Sequence, residues 1–457
     1  LKPSIPKGTR DFSPLVLSKR NYLKFQLTAS FESFGFQPIE TPSFERSETL
    51  LGKYGEEGDR LIFKILNSGD KVKKADLEAL KKGDLGKFSD SLSQKALRYD
   101  LTVPFARYVA QYQNDIAFPF RRYQMQTVWR ADRPQHGRFQ EFLQCDADVV
   151  GEPSLWHEVE GVLLYDRVFS KLNLKRVQIH LNHRKILAGI AQCIGAESQL
   201  INFTVALDKL SKIGKEGVIN ELQSKGFSTD AIERLQPFLS LKGDFEAQLS
   251  AVAQALEGIE IAKEGIEELK FIYGQLNRQS LKAVSLSFDV TLARGLNYYT
   301  GLILEVMPPE GIKMGSIGGG GRYDRLTDLF GLQNTSGFGI SFGFDRIFLV
   351  LEELNLFPAS LDHKTQLIFL NFGDDSASFC FDQLTKLRDQ EFPCEFYPKP
   401  AKLKKQLNYA NQRSIPYVVI LGSEEMQKKV FVLKNMLTGS QEEHPIVEMF
   451  KVLQGLN

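Results

Sequence analysis

The most informative stretch of the sequence covers residues 120–151 and reads FRRYQMQTVWRADRPQHGRFQEFLQCDADVVG. It holds two runs in which polar and apolar side chains alternate, separated by a charged segment that contains a proline and a glycine. Because the side chains of a strand alternate faces with a period of two, these runs predict two long antiparallel strands. The strands are Phe118–Arg130 and Arg138–Val150, and the loop Ala131–Gly137 joins them.

Each of the two predicted strands has one polar and one mainly apolar face. The polar faces carry Arg122, Gln124, Gln126 and Arg130 on the first strand and Gln144, Asp146 and Asp148 on the second; the opposite faces carry Tyr123, Met125, Thr127 and Trp129, and Leu143, Cys145, Ala147 and Val149. A solvated sheet surface is one interpretation. A binding site is the other, because lysine and glutamate are nearly absent from the polar faces, and arginine offers bidentate donors to phosphate or carboxylate.

Composition favours a soluble globular protein. The 457 residues carry 57 Lys and Arg against 56 Asp and Glu, so a nucleic-acid partner would have to be met by local basic patches. The chain has no apolar run of about eighteen residues, which argues against a membrane span, and its start lacks the apolar region of a secretory signal. The scattered cysteines form no CxxC pair, so a disulfide framework is not expected and a reducing, cytoplasmic setting fits best.

Local pattern divides the rest of the chain. Leu17–Phe34 predicts an amphipathic helix, and the segment from about residue 185 to 277 predicts a helical insertion, because apolar residues recur there at three- and four-residue spacing. A polar stretch, Pro358–Lys364, marks a boundary. The alternation beyond it predicts an α/β domain with a largely parallel sheet. Its predicted strands are Gln366–Asn371 and Tyr417–Leu421, and its predicted helices are Ser376–Gln390, Leu403–Gln412 and Pro445–Leu453.

Two further patterns suggest other chemistry but do not support it. The run Gly318–Gly321 could belong to a dinucleotide-binding loop, but such a loop closes a strand and opens a helix, and this run leads into Arg322 and Tyr323. Close approach of the backbone to a ligand is the better interpretation. His180 and His183 lack a convincing third ligand, so no metal site is predicted.

Residues 120–151 resemble motif 2 of class II aminoacyl-tRNA synthetases, in the form typical of the histidyl-tRNA synthetase family. Other segments resemble further parts of that family, in the family's order. They are KGTRDFSP (7–14), YDLTVPFAR (99–107), the histidine-specific motif ARGLNYYTG (293–301), GGGRYD (319–324), the motif 3 segment GFGISFGFDRI (337–347) and, in the last domain, Lys402–Ala410 and IPYVVILG (415–422). The resemblance covers nearly the whole chain.

The resemblance implies an α+β fold: a class II synthetase-like antiparallel sheet flanked by helices, a helical insertion at about 185–277, and a C-terminal α/β anticodon-binding domain. The catalytic domain would cover residues 1–360 and the anticodon-binding domain residues 365–457. The implied activity is activation of histidine with ATP, followed by transfer to the 3′ end of tRNA(His). A homodimer, Mg²⁺ accompanying ATP, a cytoplasmic location and no membrane association are implied as well.

Four arginines are assigned to substrate charge by the resemblance. Adenylate formation brings the histidine carboxylate up to the phosphates of ATP, so fixed cations are needed between two anions. Arg130 and Arg294 would act at the α-phosphate and the histidine carboxylate, and they are the candidate catalytic residues. Arg346 would hold the γ-phosphate, and Arg138 would also contact ATP.

A second group of residues is assigned to histidine itself. The candidates for the ammonium group and the main body of the amino acid are Asp100, Leu101, Thr102 and Gln144, beside the arginines. Asp148 would accept one imidazole N–H, and Tyr298 or Tyr299 would meet the other ring nitrogen, one of the two tyrosines lying in the core. Such a site rejects amino acids without an imidazole, because its own buried groups would be left unpaired.

The sequence departs from the family pattern at three positions. Asp132 stands where glutamate is usual, Asn297 where aspartate is usual, and Arg325 where glycine is common. None of them removes a residue assigned to substrate. The alternatives are a catalytically dead relative, such as a regulatory subunit of ATP phosphoribosyltransferase, and an uncharged-tRNA sensor. The former would lack the anticodon-binding domain, and the latter would have lost the motif arginines.

Lys402, Lys404 and Lys405 form the densest basic cluster of the last domain. On a helix, Lys402 and Lys405 would share a face, and Leu403 and Leu407 would point toward the core. The cluster is either a patch that contacts tRNA or a solvated helix face.

Overall fold

A computed structural model describes residues 2–293, 298–362 and 365–456. These residues form two compact units. The first unit contains Arg20–Leu356 together with the first twelve residues, and the second contains Phe357–Asn457 together with Ser13–Lys19.

The described part of the first unit contains two sheets. Its strands are β1 (Gln37–Pro38), β2 (Phe44–Arg46), β3 (Lys64–Ile65), β4 (Lys95–Leu97), β5 (Phe120–Trp129), β6 (Glu141–Val150), β7 (Val177–His183), β8 (Val284–Phe288), β9 (Leu302–Met307), β10 (Gly318–Arg322) and β11 (Gly337–Phe342). The large sheet has the order β1-β5-β6-β11-β10-β9-β7-β8 and is antiparallel except for the pairs β1–β5 and β7–β8. The small sheet, β2-β4-β3, is antiparallel. The predicted antiparallel architecture is confirmed.

Helices pack against the large sheet and against one another. In the described part of the chain they are α1 (Pro14–Ser33), α2 (Ser47–Leu50), α3 (Gly55–Arg60), α4 (Leu77–Lys81), α5 (Leu85–Leu92), α6 (Thr102–Gln111), α7 (Trp156–Lys171), α8 (Arg184–Cys193), α9 (Leu200–Leu207), α10 (Leu210–Ser224), α11 (Thr229–Leu235), α12 (Phe245–Ala255), α13 (Glu260–Asn277) and α14 (Phe344–Glu353). The segment predicted to be a helical insertion consists of α8 to α13. None of the described helices has the length and apolar character needed to cross a membrane.

The apolar face of α1 packs against strands β5 and β11. Leu23, Leu27 and Phe31 recur at four-residue spacing on one side of the helix and are fully buried. The Phe31 ring lies 5.3 Å from the ring of Tyr123 on β5 and 5.5 Å from that of Phe342 on β11. Burying each of these side chains contributes about 1.5–3 kcal/mol, which anchors β5 and β11 from behind.

The predicted strand pair is present, but the first strand is shorter than predicted at both ends and the second starts later. β6 begins at Glu141 because the preceding residues have other backbone partners. Gln135 and Arg138 pair with each other within the loop, and the Gln140 N–H donates to the Gly8 carbonyl at 2.9 Å.

The second unit contains a five-stranded sheet in its described residues. Its strands are β12 (Leu367–Phe369), β13 (Cys394–Phe396), β14 (Tyr417–Ile420), β15 (Val430–Asn435) and β16 (Gln441–Pro445), and its helices are α15 (Asp374–Arg388), α16 (Leu403–Gln412), α17 (Ser423–Lys428) and α18 (Met449–Gln454). The prediction of a largely parallel sheet is wrong for half of it. β12 pairs in parallel with β13 and β14, but β14, β15 and β16 pair antiparallel. The connections between these last three strands are too short for parallel pairing, which needs a crossover of about a dozen residues or more.

Both faces of this second sheet are covered, as the strand period requires. Leu367 and Phe369 pack into one apolar cluster, and Ile368 and Leu370 pack into another. Because β12 is apolar on both of its faces, apolar side chains from other elements cover each face, as in an α/β domain.

The lysine cluster of the second unit is exposed, but its predicted helical geometry is only partly right. Lys402 precedes α16 in an extended conformation and so does not share a helix face with Lys405. Leu407 packs against the apolar cluster, whereas Leu403 is 40% exposed and does not point into the core.

Candidate active site

A cavity of about 260 Å³ opens beside β6, β10 and β11, where the first turns of α6 and α14 approach the large sheet. Its lining includes the predicted site residues Asp100, Thr102, Arg130, Arg138, Gln144, Tyr298, Tyr299 and Arg346. A recess of about 20 Å³ shares Thr102, Tyr298 and Tyr299 with this cavity and contains Asp148. The structure thus brings residues from distant parts of the sequence into one continuous site.

Other predicted positions are not found among the described residues of this lining. The Leu101 side chain is fully buried and does not contribute to the cavity wall. Arg294 lies outside the described residues, and so does Asn297. Of the other two departures from the family pattern, Asp132 lines the cavity, whereas Arg325 is exposed and does not.

Arg130 follows β5 directly and is fixed from two sides. Its Nε donates to the Tyr99 carbonyl at 3.0 Å, and Nη2 lies 3.4 Å from Gln144 Oε1. The guanidinium also lies over the Tyr99 ring, 4.3 Å from its centroid. A guanidinium held in a fixed plane at a cavity wall is suited to bidentate contact with a carboxylate or phosphate.

Arg346 belongs to the first turn of α14 and is also held by backbone acceptors. Its Nε donates to the Gly137 carbonyl at 3.1 Å and its Nη1 to the Ser316 carbonyl at 2.6 Å. Burial lowers the pKa of Arg346, and the positive charges of Arg138 and Arg130 lower it further. Three cations near one cavity repel each other, so a bound polyphosphate would stabilise the arrangement.

Asp100 supplies a buried acid to the same cavity. Its Oδ1 accepts a hydrogen bond from the Tyr54 hydroxyl at 2.7 Å and one from the Val103 N–H at 3.3 Å. Burial raises the pKa of Asp100 to about 6, against the opposing effects of the Tyr54 bond and the Arg130 charge. A carboxylate in this setting can accept a hydrogen bond from a substrate ammonium group.

A network of buried polar side chains lies beneath the recess, around Asp148 on β6. Arg122 faces Asp148 in the strand register, with Nη2 and Oδ2 2.9 Å apart. The other Asp148 oxygen accepts the Tyr323 hydroxyl, and the Gln144 amide donates to Asp146 Oδ2 at 2.7 Å. Burial raises the pKa of Asp148, while Arg122 lowers it. The sequence placed Arg122 and Asp146 on the polar face but gave neither a role.

Asp345 joins three separate segments and was missed by the sequence reasoning. Its Oδ1 lies 2.9 Å from Arg10 Nη2 and also accepts from Arg20, while the Leu143 N–H donates to Oδ2 at 3.2 Å. The Arg10 guanidinium lies 3.3 Å from the centroid of the Phe139 ring. The start of the chain is thereby tied to α14 and to β6. The segment 7–14, which holds Arg10, and the motif 3 segment 337–347, which holds Asp345, were both recognised in the sequence. Neither pattern indicates that the two segments contact each other.

The glycine run forms β10 in the middle of the sheet rather than a turn into a helix, which excludes the dinucleotide-loop interpretation. A Cβ on Gly320 would lie 2.2 Å from the Gly339 carbonyl oxygen. A Cβ on Gly339 would lie 2.0 Å from Asp148 Oδ1. Glycine at these positions lets β10, β11 and the Asp148 side chain approach closely.

Within the described ranges, no group of three His, Cys, Asp or Glu side chains could hold a metal ion. The two histidines considered from the sequence have other partners. His180 Nδ1 lies 2.7 Å from the Ser287 hydroxyl, and His183 Nε2 lies 2.9 Å from Glu268 Oε2.

The chain is similar to known proteins along nearly all of its length. Residues 71–347 match the family model described as histidyl-tRNA synthetase, and residues 366–456 match that of the anticodon binding domain. The histidine–tRNA ligase of Christiangramia forsetii is 59% identical over 440 residues, or 96% of each chain. That of Flavobacterium johnsoniae is 54% identical over 472 residues, or 99% of each chain. The crystal structure of histidyl-tRNA synthetase from Nostoc sp. PCC 7120 aligns with a TM-score of 0.79 at 28% identity, covering 100% of this chain and 99% of that chain.

Proposed function

This chain belongs to the histidyl-tRNA synthetase family, and we propose that the cavity beside β6 is where it joins histidine to ATP. The enzyme is a class II aminoacyl-tRNA synthetase that charges tRNA(His) with histidine. One observation carries the assignment of the site: a buried acid, Asp100, and the cations Arg130 and Arg346 line the same cavity. A zwitterionic amino acid and a polyphosphate need such a combination.

The chemistry consists of two group transfers. In the first, a histidine carboxylate oxygen attacks the α-phosphorus of ATP, the bond to the β-phosphate oxygen breaks, and pyrophosphate leaves. In the second, a ribose hydroxyl at the 3′ end of tRNA attacks the carbonyl carbon of the adenylate, and AMP leaves. Since the first step brings two anions together, positioning and charge neutralisation are the protein's main contributions.

We assign the cations the roles that the resemblance implies, and their fixed positions at the cavity support them. Arg130 would bridge the histidine carboxylate and the α-phosphate, and its contact from Nη2 to Gln144 holds its plane at the cavity wall. Arg346 would bind the γ-phosphate, and Arg138 would contact ATP from the loop that carries Gly137. Arg294 takes the second position at the α-phosphate and carboxylate; this role rests on the resemblance of its motif, since the residue lies outside the described ranges.

Histidine is held at both of its ends. Asp100 and Thr102 receive the ammonium group, with Gln144 beside the main body of the amino acid. The imidazole enters the recess, where Asp148 accepts one ring N–H and Tyr298 or Tyr299 meets the other nitrogen. Both Asp148 oxygens already have a partner, but each carboxylate oxygen can accept more than one hydrogen bond.

Mg²⁺ enters with ATP in this scheme. Nucleotide-bound Mg²⁺ is usually held by phosphate oxygens and water, and the same is proposed here. The ion would supply further neutralisation of the phosphate charge. No protein ligand is assigned to it.

The larger organisation follows the same family. We assign residues 1–360 to the catalytic domain, with an insertion at about 185–277, and residues 365–457 to the anticodon-binding domain that contacts tRNA(His). A homodimer in the cytoplasm is the proposed working form, and sedimentation of the purified protein tests its stoichiometry.

Exchange of labelled pyrophosphate into ATP, measured with each standard amino acid in turn, tests the function. We expect exchange with histidine alone. A dead relative or an uncharged-tRNA sensor would give no exchange with any amino acid, and exchange with a different amino acid would refute the assignment of the pocket.

A further inference from the structure

A buried tyrosine outside the predicted motifs contacts the acid of the histidine site. Tyr54 lies between α2 and α3, far in the sequence from Asp100, and its hydroxyl donates to Asp100 Oδ1 at 2.7 Å. It does not line the cavity, so it reaches substrate only through Asp100. We propose that Tyr54 is a positioning residue that orients Asp100 and keeps it ionised to receive the α-ammonium group of histidine.

Two donors converge on one oxygen of the Asp100 carboxylate, and we assign the other oxygen to the substrate. Tyr54 and the Val103 N–H both donate to Oδ1, so the carboxylate is held from one side while its Oδ2 has neither of these donors. A carboxylate whose rotation is restricted by two donors loses less conformational freedom when an ammonium group binds. Tyr54 thus reduces the conformational entropy that Asp100 loses when histidine binds, although Tyr54 does not contact the amino acid.

The surroundings of Tyr54 fix its hydroxyl in this place. Its ring lies 4.7 Å from the ring of Tyr99, the residue whose carbonyl holds Arg130. A Cβ on Gly58 would lie 2.4 Å from the Tyr54 Cβ, so glycine there permits the close turn of α3 around the tyrosine. The segment after α2 is therefore coupled to histidine recognition through a single hydroxyl.

Charge supports the same role. Asp100 must be ionised to bind an ammonium group, yet burial raises its pKa to about 6. Charged and titratable groups surround it: Tyr54 and Arg130 lower its pKa, Asp146 raises it, and Tyr99 and Asp148 also interact with it electrostatically. Loss of the tyrosine hydroxyl raises the pKa of Asp100 further, so a larger fraction becomes protonated as the pH falls toward neutrality.

This inference rests on the proposed function, and Tyr54→Phe tests it because the change removes only the hydroxyl. We expect the histidine KM in pyrophosphate exchange to rise about tenfold, as loss of a hydrogen bond to a charged group predicts, with kcat and the ATP KM nearly unchanged. The rise of the histidine KM on acidification should begin at a higher pH than in the unmodified chain. Free histidine titrates in the same way in both assays, so any difference between the two pH profiles arises from a group of the protein.

Tyr123→Phe is the matched control. It removes a hydroxyl that donates to Glu32 at 3.1 Å and does not line the cavity, so its kinetics should stay near those of the unmodified chain. If Tyr54→Phe behaves like this control, or if its histidine KM rises by the same factor at every pH, the inference is wrong.

Asp100→Asn distinguishes a failure of the proposed role of Asp100 from a failure of the inference about Tyr54. If it leaves the histidine KM unchanged, the ammonium assignment fails together with the inference. If it raises the KM and Tyr54→Phe does not, only the inference fails.

Discussion

Arg122 on β5 and Asp148 on β6 face each other across the strand pair, with Nη2 and Oδ2 2.9 Å apart and both side chains buried. The pair lies beneath the recess proposed for the imidazole ring. Its carboxylate has two tasks, since it balances a buried cation and also forms a wall of the recess. A change at Asp148 is therefore expected to affect histidine binding, and a change at Arg122 is expected to affect the stability of the fold.

Asp148→Ala is expected to weaken histidine binding. The imidazole N–H loses its acceptor and a charged hydrogen bond, which typically costs about 1.5–3 kcal/mol, or roughly ten- to 150-fold in affinity. ATP binding in the absence of histidine should be nearly unchanged. Calorimetric titration with each ligand measures both effects, and normal histidine binding would mean that the pocket is assigned to the wrong strand face.

Arg122→Leu should lower the free energy of unfolding by about 3–5 kcal/mol once the pH exceeds the folded-state pKa of Asp148, because a buried carboxylate then lacks its ion pair. With the arginine present this pKa is about 7, and without the arginine it rises further above the unfolded value. Folding takes up a proton between the unfolded and the folded pKa, so the deficit grows as the pH rises above about 7 and is smaller below it. Urea denaturation between about pH 6 and 10 checks this, with Arg122→Lys as the charge-conserving comparison. A deficit independent of pH would assign the loss to packing alone.

Much of this site could be predicted from the pattern of residues 120–151. The period of two placed Arg122, Gln144 and Asp148 on polar faces because strand geometry fixes which side chains share a surface. The resemblance then pointed to Arg130 and Arg346, which line the cavity, since each lies inside a motif that reads in one continuous stretch.

Contacts between distant segments could not be predicted in this way. Tyr54 meets Asp100, and Arg10 meets Asp345, only after the chain has folded, and no local period relates such positions. The same limit applied to the second unit. There, β16 was missed because Gln441–Pro445 is polar and mostly exposed, and lacks the alternation that marks a half-buried strand.

Arg294→Ala should lower kcat for adenylate formation by about two to three orders of magnitude, as expected for a cation that stabilises charge in the transition state. The ATP KM should change far less, because the residue acts where charge develops rather than on the whole nucleotide. Rapid-quench measurement of adenylate formation tests this. A rate near that of the unmodified chain would remove Arg294 from the catalytic residues.

Replacing Lys402, Lys404 and Lys405 together by alanine should weaken tRNA(His) binding. If the exposed cluster contacts phosphates, the slope of log K against log[salt] should flatten by up to about three contacts. Activation of free histidine, which depends on the first unit, should stay intact. An unchanged slope would show that tRNA contacts other surfaces of this domain and that the lysines form a solvated face.

The most direct measurement is the single-turnover rate of histidyl-adenylate formation in Arg130→Ala, compared with Arg133→Ala. Arg130 lines the cavity and is held by Tyr99 and Gln144, whereas Arg133 is an exposed arginine of the neighbouring loop that does not line it. If the cavity is where histidine meets ATP, Arg130→Ala should lose about two to three orders of magnitude in rate and Arg133→Ala should stay within about twofold of the unmodified chain. Equal rates in the two variants would contradict the assignment of this cavity as the active site.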